Sequence, residues 1–176
     1  MSQSDLCVIR PAEYGHYVEQ FNNLYVEEVV NAIPDRDAWE WMQSHIPFLD
    51  CCDTKIEEIY YFRWWIYRKH IKHTPDGYVV TEFLHNHSTF CDLVITGVAG
   101  LVPRPDDILE MNPLLPEEWD YFCLDGVRYR NHLITIVWDR TGERYGEKGF
   151  QVYVDKEKRY ASGSLGRVLI DLSDKV

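Results

Sequence analysis

The sequence predicts an α+β fold in which N-terminal helices precede an antiparallel, jelly-roll-like β-sandwich. Three observations predict it. Over roughly the first hundred positions, apolar residues recur at three- and four-residue steps, the period of an amphipathic helix. Beyond Pro103 the period drops to two, as in half-buried strands. The joints between these later runs carry Pro, Gly and Asp-Gly, the chemistry of tight turns. The same contrast divides the chain into a helical part, residues 1–102, and a sandwich, residues 103–176.

From Glu13 to Ile33 the apolar positions Tyr17, Phe21, Leu24, Tyr25 and Val29 predict a helix that Pro34 ends. Asp35 can cap a short second helix carrying Trp39, Trp41 and Met42, which Pro47 stops. Asp53 or Thr54 opens the strongest helix, running through Ile59 and Tyr67 to about His73. Thr74-Pro75-Asp76-Gly77 reads as a turn, Tyr78 to Leu84 as a strand, and Thr89 to Leu101 as a fourth helix weakened by Gly97 and Gly100. In the β part, Ile108 to Asn112 and Trp119 to Leu124 read as strands, and Asp125-Gly126 as a hairpin turn. His132 to Trp138 has two apolar faces, as a central sandwich strand does; Asp139 to Gly149 is a polar loop. Phe150, Val152 and Val154 face inward on the next strand, and Val168, Ile170 and Leu172 make the last.

Composition narrows the function classes. Lysine and arginine total 18 against 29 acidic residues, a formal net charge of −11. Binding a nucleic-acid backbone requires clustered positive charge, so a nucleic-acid partner is not expected. The longest apolar run, near Leu93 to Val102, is about half of the ~20 residues that span a bilayer, and MSQSDLCVIRP lacks the basic and apolar regions of a secretory leader. Five cysteines with no CxxC spacing read as reduced thiols of a cytoplasmic protein. No glycine-rich phosphate loop, Ser-His-Asp order or HExxH helix is present, so no cofactor is implied.

The unusual entry is aromatic content: 14%, with 12 tyrosines and 6 tryptophans. Nine consecutive residues, Ile59 to Tyr67, cover the full circumference of a helix, and all but Arg63 are apolar or aromatic. Such a helix is enclosed on several sides. Core packing, a dimer interface and a ring-stacking ligand surface each satisfy that requirement. The second predicts self-association that buries Trp64 or Trp65; the third makes Arg63, Trp64 and Trp65 ligand-binding candidates.

The run FRWWIYRKHIKHTPDGYVVTEFL (Phe62 to Leu84) resembles the start of the (α/α)6 toroid of bacterial six-hairpin glycoside hydrolases of the mannosylglycerate-hydrolase-like type. Ser88 to Asp155, above all NPLLPEEWDYFCLDGVRY (Asn112 to Tyr129), resembles the end of the same proteins, where the toroid passes into a sandwich like that of α-L-rhamnosidases. Those enzymes carry most of the toroid between the two blocks. Here Leu84 leads through His85-Asn86-His87 directly into Ser88, so the resemblance implies that most of the toroid is lacking. A second departure is Asp155-Lys156-Glu157-Lys158, where relatives tend to have an Asp-Gly hairpin.

Hydrolysis of a glycoside requires an acid and a base across the scissile bond, about 6.5–9.5 Å apart when the enzyme inverts. The resemblance places these mainly in the lacking stretch. Glu82 and Asp92, the acids flanking the junction, are the remaining catalytic candidates, with His85 and His87 as hydrogen-bonding ligand residues between them. The two histidines have no evident third ligand, so no metal site is predicted. The expected function is that of a non-catalytic, carbohydrate-associated or oligomerising module, with a carbohydrate and a second copy as partners. The alternative is a weak or altered glycoside hydrolase whose active site is rebuilt at an oligomer interface.

Overall fold

Asp53 caps the longest helix by accepting hydrogen bonds from the backbone N–H groups of Lys55 (3.0 Å) and Ile56 (3.2 Å), two of the donors a helix start leaves unpaired. In the computed structural model, which describes residues 7–24, 26–29, 31–81 and 87–173, this helix is α3 (Thr54–Lys69). Before it come α1 (Gly15–Asn22), α2 (Ala38–His45) and a strand, β1 (Phe48–Cys51). A hairpin of β2 (Ile71–Thr74) and β3 (Gly77–Val80) follows, then α4 (His87–Asp92), which continues as one π-helical segment over Leu93–Val98. The β part comprises β4 (Leu101–Val102), β5 (Ile108–Met111), β6 (Tyr121–Tyr129), β7 (His132–Asp139), β8 (Gly149–Val154), β9 (Glu157–Ser162) and β10 (Val168–Asp171).

All pairings are antiparallel. One sheet runs β1-β6-β7-β8-β9 and the other β10-β5-β4. β7 is central and buried on both faces, with Ile136 at 0% and Val137 at 1% exposure, as its two apolar faces predict. One face of the five-stranded sheet carries Leu124, Ile136, Trp138, Phe150 and Val152. Tyr129 on that face donates its hydroxyl to the Ile108 carbonyl (3.3 Å) and accepts from Arg104 N–H (3.2 Å), linking it to the three-stranded sheet. The other face meets the helical layer, where Phe48 packs against the rings of Tyr14, Trp39 and Tyr61. The fold is α+β with a C-terminal β-sandwich. The two halves share that sheet, because β1 comes from the helical half and pairs Leu49 with Leu124 and Cys51 with Phe122.

Among the described residues no strand lies beside the outer edge of β1, and α3 closes it with side chains. Tyr61 hydroxyl accepts the Leu49 N–H (3.1 Å) and donates to the Leu49 carbonyl (2.8 Å). Glu57 Oε2 accepts the Cys51 N–H (3.1 Å), and Tyr60 hydroxyl donates to the Pro47 carbonyl (3.0 Å). Glu57 Oε1 in turn accepts the Tyr17 hydroxyl (2.7 Å), tying α1 to the same point. Burial pushes the Glu57 carboxyl above the ordinary glutamate range, and the nearby Asp50 charge adds to it, against the hydrogen bonds that favour the ionised form.

Several predicted elements take other forms. The helix expected over Glu13 to Ile33 stops at Asn22, and Leu24, Val26 and Val29 stand exposed beyond it. Helical spacing there does not produce a buried stripe. The strongest helix ends at Lys69 rather than near His73, because Ile71 to Thr74 pair with Gly77 to Val80 through the predicted turn. The strand expected over Tyr78 to Leu84 is Gly77–Val80, and residues 82–84 lie outside the described residues. Asp125-Gly126 is no turn. β6 runs through it with a bulge at Gly126 (φ 84°), and the hairpin turn falls at Arg130-Asn131. The Asp125 side chain, fully buried, accepts N–H groups from Cys7, Val8 and Ile9 and the Thr135 hydroxyl, at 2.6–3.1 Å. The β8–β9 turn, Asp155-Lys156, has positive φ at both residues (50° and 71°) and so forms a type I′ turn without glycine. At the joint between the halves, Gly100 (φ 74°) lies so close to Asn112 that a Cβ would stand 2.1 Å from its backbone.

Tyr61→Phe keeps the ring and strands the Leu49 N–H and carbonyl without partners; urea denaturation should show a loss of about 2–4 kcal/mol. Tyr78→Phe, at an exposed ring, should change stability by less than ~0.5 kcal/mol. Glu57, its folded pKa raised above the ordinary glutamate value of 4.5, lends stability that is complete below that value and lost as pH rises through the folded one. Glu57→Gln stays neutral, accepting from Cys51 and donating to Tyr17. Its melting temperature relative to the parent should therefore climb as pH is raised from about 4.5 towards 7; a falling difference would contradict the assignment.

Candidate functional site

Of the residues singled out from sequence, the structure separates core from surface. Trp65 is 1% exposed; its indole N–H donates to Asn22 Oδ1 (2.7 Å), and Lys69 Nζ stands 3.7 Å above the ring centre. Its burial requires no second chain. Trp64 is half-buried, edge-on to Tyr60 and Tyr67. Arg63 is half-buried on α3, and its charge acts on Cys91 of α4. Asp92 is exposed at the end of α4, with its backbone carbonyl accepting the Thr96 hydroxyl (2.7 Å). Glu82 and His85 lie outside the described residues, and His87 is described only as the first backbone position of α4.

Among the described residues six carboxylates are buried, and each is held by named donors. Asp50 takes a bidentate ion pair from Arg144 (2.8–3.0 Å) and the Tyr145 hydroxyl (2.8 Å). That contact depends on Asp139, whose carboxylate accepts the N–H groups of Thr141, Gly142, Arg144 and Tyr145 and so folds the loop after β7. Asp35 pairs with the fully buried Arg68 and with Lys69, while Arg68 also donates to the Ile33 carbonyl. Glu110 lies between Arg104 (2.7 Å) and Arg167 (2.8 Å), and these cations hold its carboxyl below the usual range. Glu57 and Asp125 are the clamps already described. Among the described residues no group of three or more His, Cys, Asp or Glu side chains is placed to hold a metal ion.

Open concavities lie elsewhere. A groove of about 620 Å³ runs between α1 and α2, lined by Gly15, His16, Glu19, Asn22, Trp39 and Gln43 among others. A second cleft, about 490 Å³, lies at one end of the sandwich and gathers Arg130, His132, Asp155, Glu157 and Arg159 over Val154 and Leu172. In it His132 Nδ1 meets Asp155 Oδ2 at 2.6 Å, and Arg159 donates to the Asp171 carbonyl. Sequence reading did not single out either place. His16, Glu19 and Asn22 recur three apart, which reads as a solvated helix face, and Trp39 reads as core. The one available signal was Trp39 and Gln43 at i and i+4, an aromatic and an amide on one helical face.

Comparison with known proteins bears on the same architecture. Residues 104–158 match the model of the glycosyl hydrolase family 65 C-terminal domain. A solved structure described as a sialidase superposes with a TM-score of 0.91 at 16% identity, over 97% of this chain and 46% of that one. The likeness therefore extends through both halves of the fold, and the chain spans about half the length of that structure. The family 65 match thus lies within the sandwich, and the sialidase structure shares the fold of both halves, helical layer and C-terminal β-sandwich.

Proposed function

We propose that this chain acts as a non-catalytic, carbohydrate-associated module. The observation that carries the reading is the commitment of all six carboxylates buried among the described residues to structural donors. Glycoside hydrolysis requires one carboxyl that can give a proton and another free to act as base or nucleophile, facing each other across an open site. A carboxylate locked by two to four donor groups serves neither role without dismantling what it holds. The family 65 C-terminal domain match and the sialidase likeness support association with carbohydrate. Exposed Ile59, Tyr78, Val79, Val80 and Leu93 support self-association as a companion property. A reducing, cytoplasmic setting suits five free cysteines, with burial pushing the Cys51 and Cys91 thiols up to about 12.

The test pairs aryl-glycoside turnover with calorimetric titration of a glycan panel. The expected result is saturable glycan binding and no turnover. Turnover that disappears in Glu82→Gln or Asp92→Asn would overturn the non-catalytic reading in favour of a rebuilt active site. Absence of binding to every glycan would overturn the carbohydrate reading. Sedimentation velocity should show a concentration-dependent dimer that Tyr78→Ser weakens; a monodisperse monomer at all concentrations would remove self-association.

A further inference from the structure

We propose that the groove between α1 and α2 is a binding site for a neutral pyranoside, with Trp39, Gln43 and Glu19 as its recognition residues. This inference rests on the carbohydrate-associated reading and goes further by assigning the place and the ligand charge. The groove, at about 620 Å³, has the size of a small-ligand site and is large enough for one or two sugar rings. Its lining joins one indole to several short polar side chains, the combination that a sugar's apolar ring face and hydroxyl edge require.

Two polar residues of the lining are already spent: Asn22 is fixed by Trp65 and by the Asp35 carbonyl, and Asp35 by Arg68 and Lys69. The Glu19 carboxylate, the Gln43 amide and the Trp39 indole N–H, by contrast, make no hydrogen bond among the described residues. Trp39 is held edge-on by Phe48, with ring centres 6.1 Å apart, so its position does not depend on a ligand. Gly15 lies beside its free edge, where an added Cβ would stand 3.5–3.7 Å from Cε2, Cζ2 and Nε1. Glycine there leaves the indole edge uncovered.

Charge selects among sugars. Asp35 in the lining is neutralised by two cations, Arg36 is fully solvated beside Asp37, and Glu19 carries an unpaired negative charge. The chain as a whole carries −11. An acidic sugar such as N-acetylneuraminate meets the unpaired Glu19 carboxylate and the net negative charge of the chain, whereas a neutral pyranoside offers hydroxyl donors to Glu19 and both donors and acceptors to Gln43.

The full chain, labelled with ¹⁵N, would be titrated with methyl glycosides of glucose, galactose and mannose, with maltose, and with N-acetylneuraminate. At least one neutral sugar should shift the Trp39 Nε1–H resonance, and N-acetylneuraminate should not. Gln43→Ala and Glu19→Ala, both away from the core, should each weaken that binding about tenfold at unchanged melting temperature. Gly15→Ala separates site from fold: it fills the floor beside the indole without a clash and should raise helix stability while weakening binding. Neutral-sugar binding that survives all three changes but is lost in Arg159→Ala would overturn the groove and leave the carbohydrate reading intact. Tighter binding of N-acetylneuraminate than of every neutral sugar would overturn the charge argument. No binding of any sugar would overturn both readings.

Discussion

The fold depends on how one strand edge is closed. β1 enters the sheet from the helical half, so its outer edge would expose backbone donors and acceptors inside the protein. Unpaired polar groups there cost far more than the few tenths of a kilocalorie that separate good from adequate ring packing. α3 supplies Tyr61, Glu57 and Tyr60 in place of a neighbouring strand. Each of these must lie on the face of the helix turned towards β1, and the spacing 57, 60, 61 puts them there. The remaining aromatic packing of α3 then follows: Trp65 one turn on meets Phe21 and Phe62, and Arg68 reaches the loop before α2. Helical layer and sandwich are one packed body because this edge could not be left open.

The acids repeat the principle. An ionised carboxylate can be buried only where several donors replace its water. For two of these acids the donors are mostly backbone N–H groups of segments that have no ladder of their own: the strap Cys7 to Ile9 on Asp125, and the loop Thr141 to Tyr145 on Asp139. Arg144, brought in by that loop, then neutralises Asp50 beside the β1 edge. A strongly acidic composition is thus partly a structural material. It also explains why the abundance of acids does not imply an acid–base pair: the buried ones are already fully coordinated.

Period-two alternation and turn residues made much of the β half readable. The central strand, its two apolar faces and the inward set Phe150, Val152 and Val154 appear in the structure where alternation places them. The asparagine-free turn at Asp155-Lys156 and the bulge at Gly126 were not readable, since an Asp-Gly pair suits a hairpin and a bulge equally well. What decides between them is the partner of the Asp125 side chain, more than a hundred residues away in sequence. Helical periodicity misled after Asn22 because spacing describes a face without saying whether anything covers it. The α1–α2 groove escaped notice for a related reason: Glu19 and Gln43 resemble any solvated residue until the elements on either side are set in place.

The aromatic excess, too large for a small core to absorb as plain hydrocarbon, is resolved by its chemistry. Tyr17, Tyr60, Tyr61, Tyr129 and Tyr145 all use their hydroxyls as hydrogen-bonding tips at joints between elements, and Trp65 and Trp138 use their indole N–H groups in the same way. A phenylalanine of equal size would fill the same space and close none of those gaps. The rings that stay outside this scheme are therefore the informative ones. Tyr78, with Val79 and Val80, lies exposed on the hairpin that follows α3, and Trp39 has its edge in the α1–α2 groove with its N–H unspent. An aromatic exposed in this way, or with its polar tip unspent within the chain, is a place to look for what the chain meets outside it.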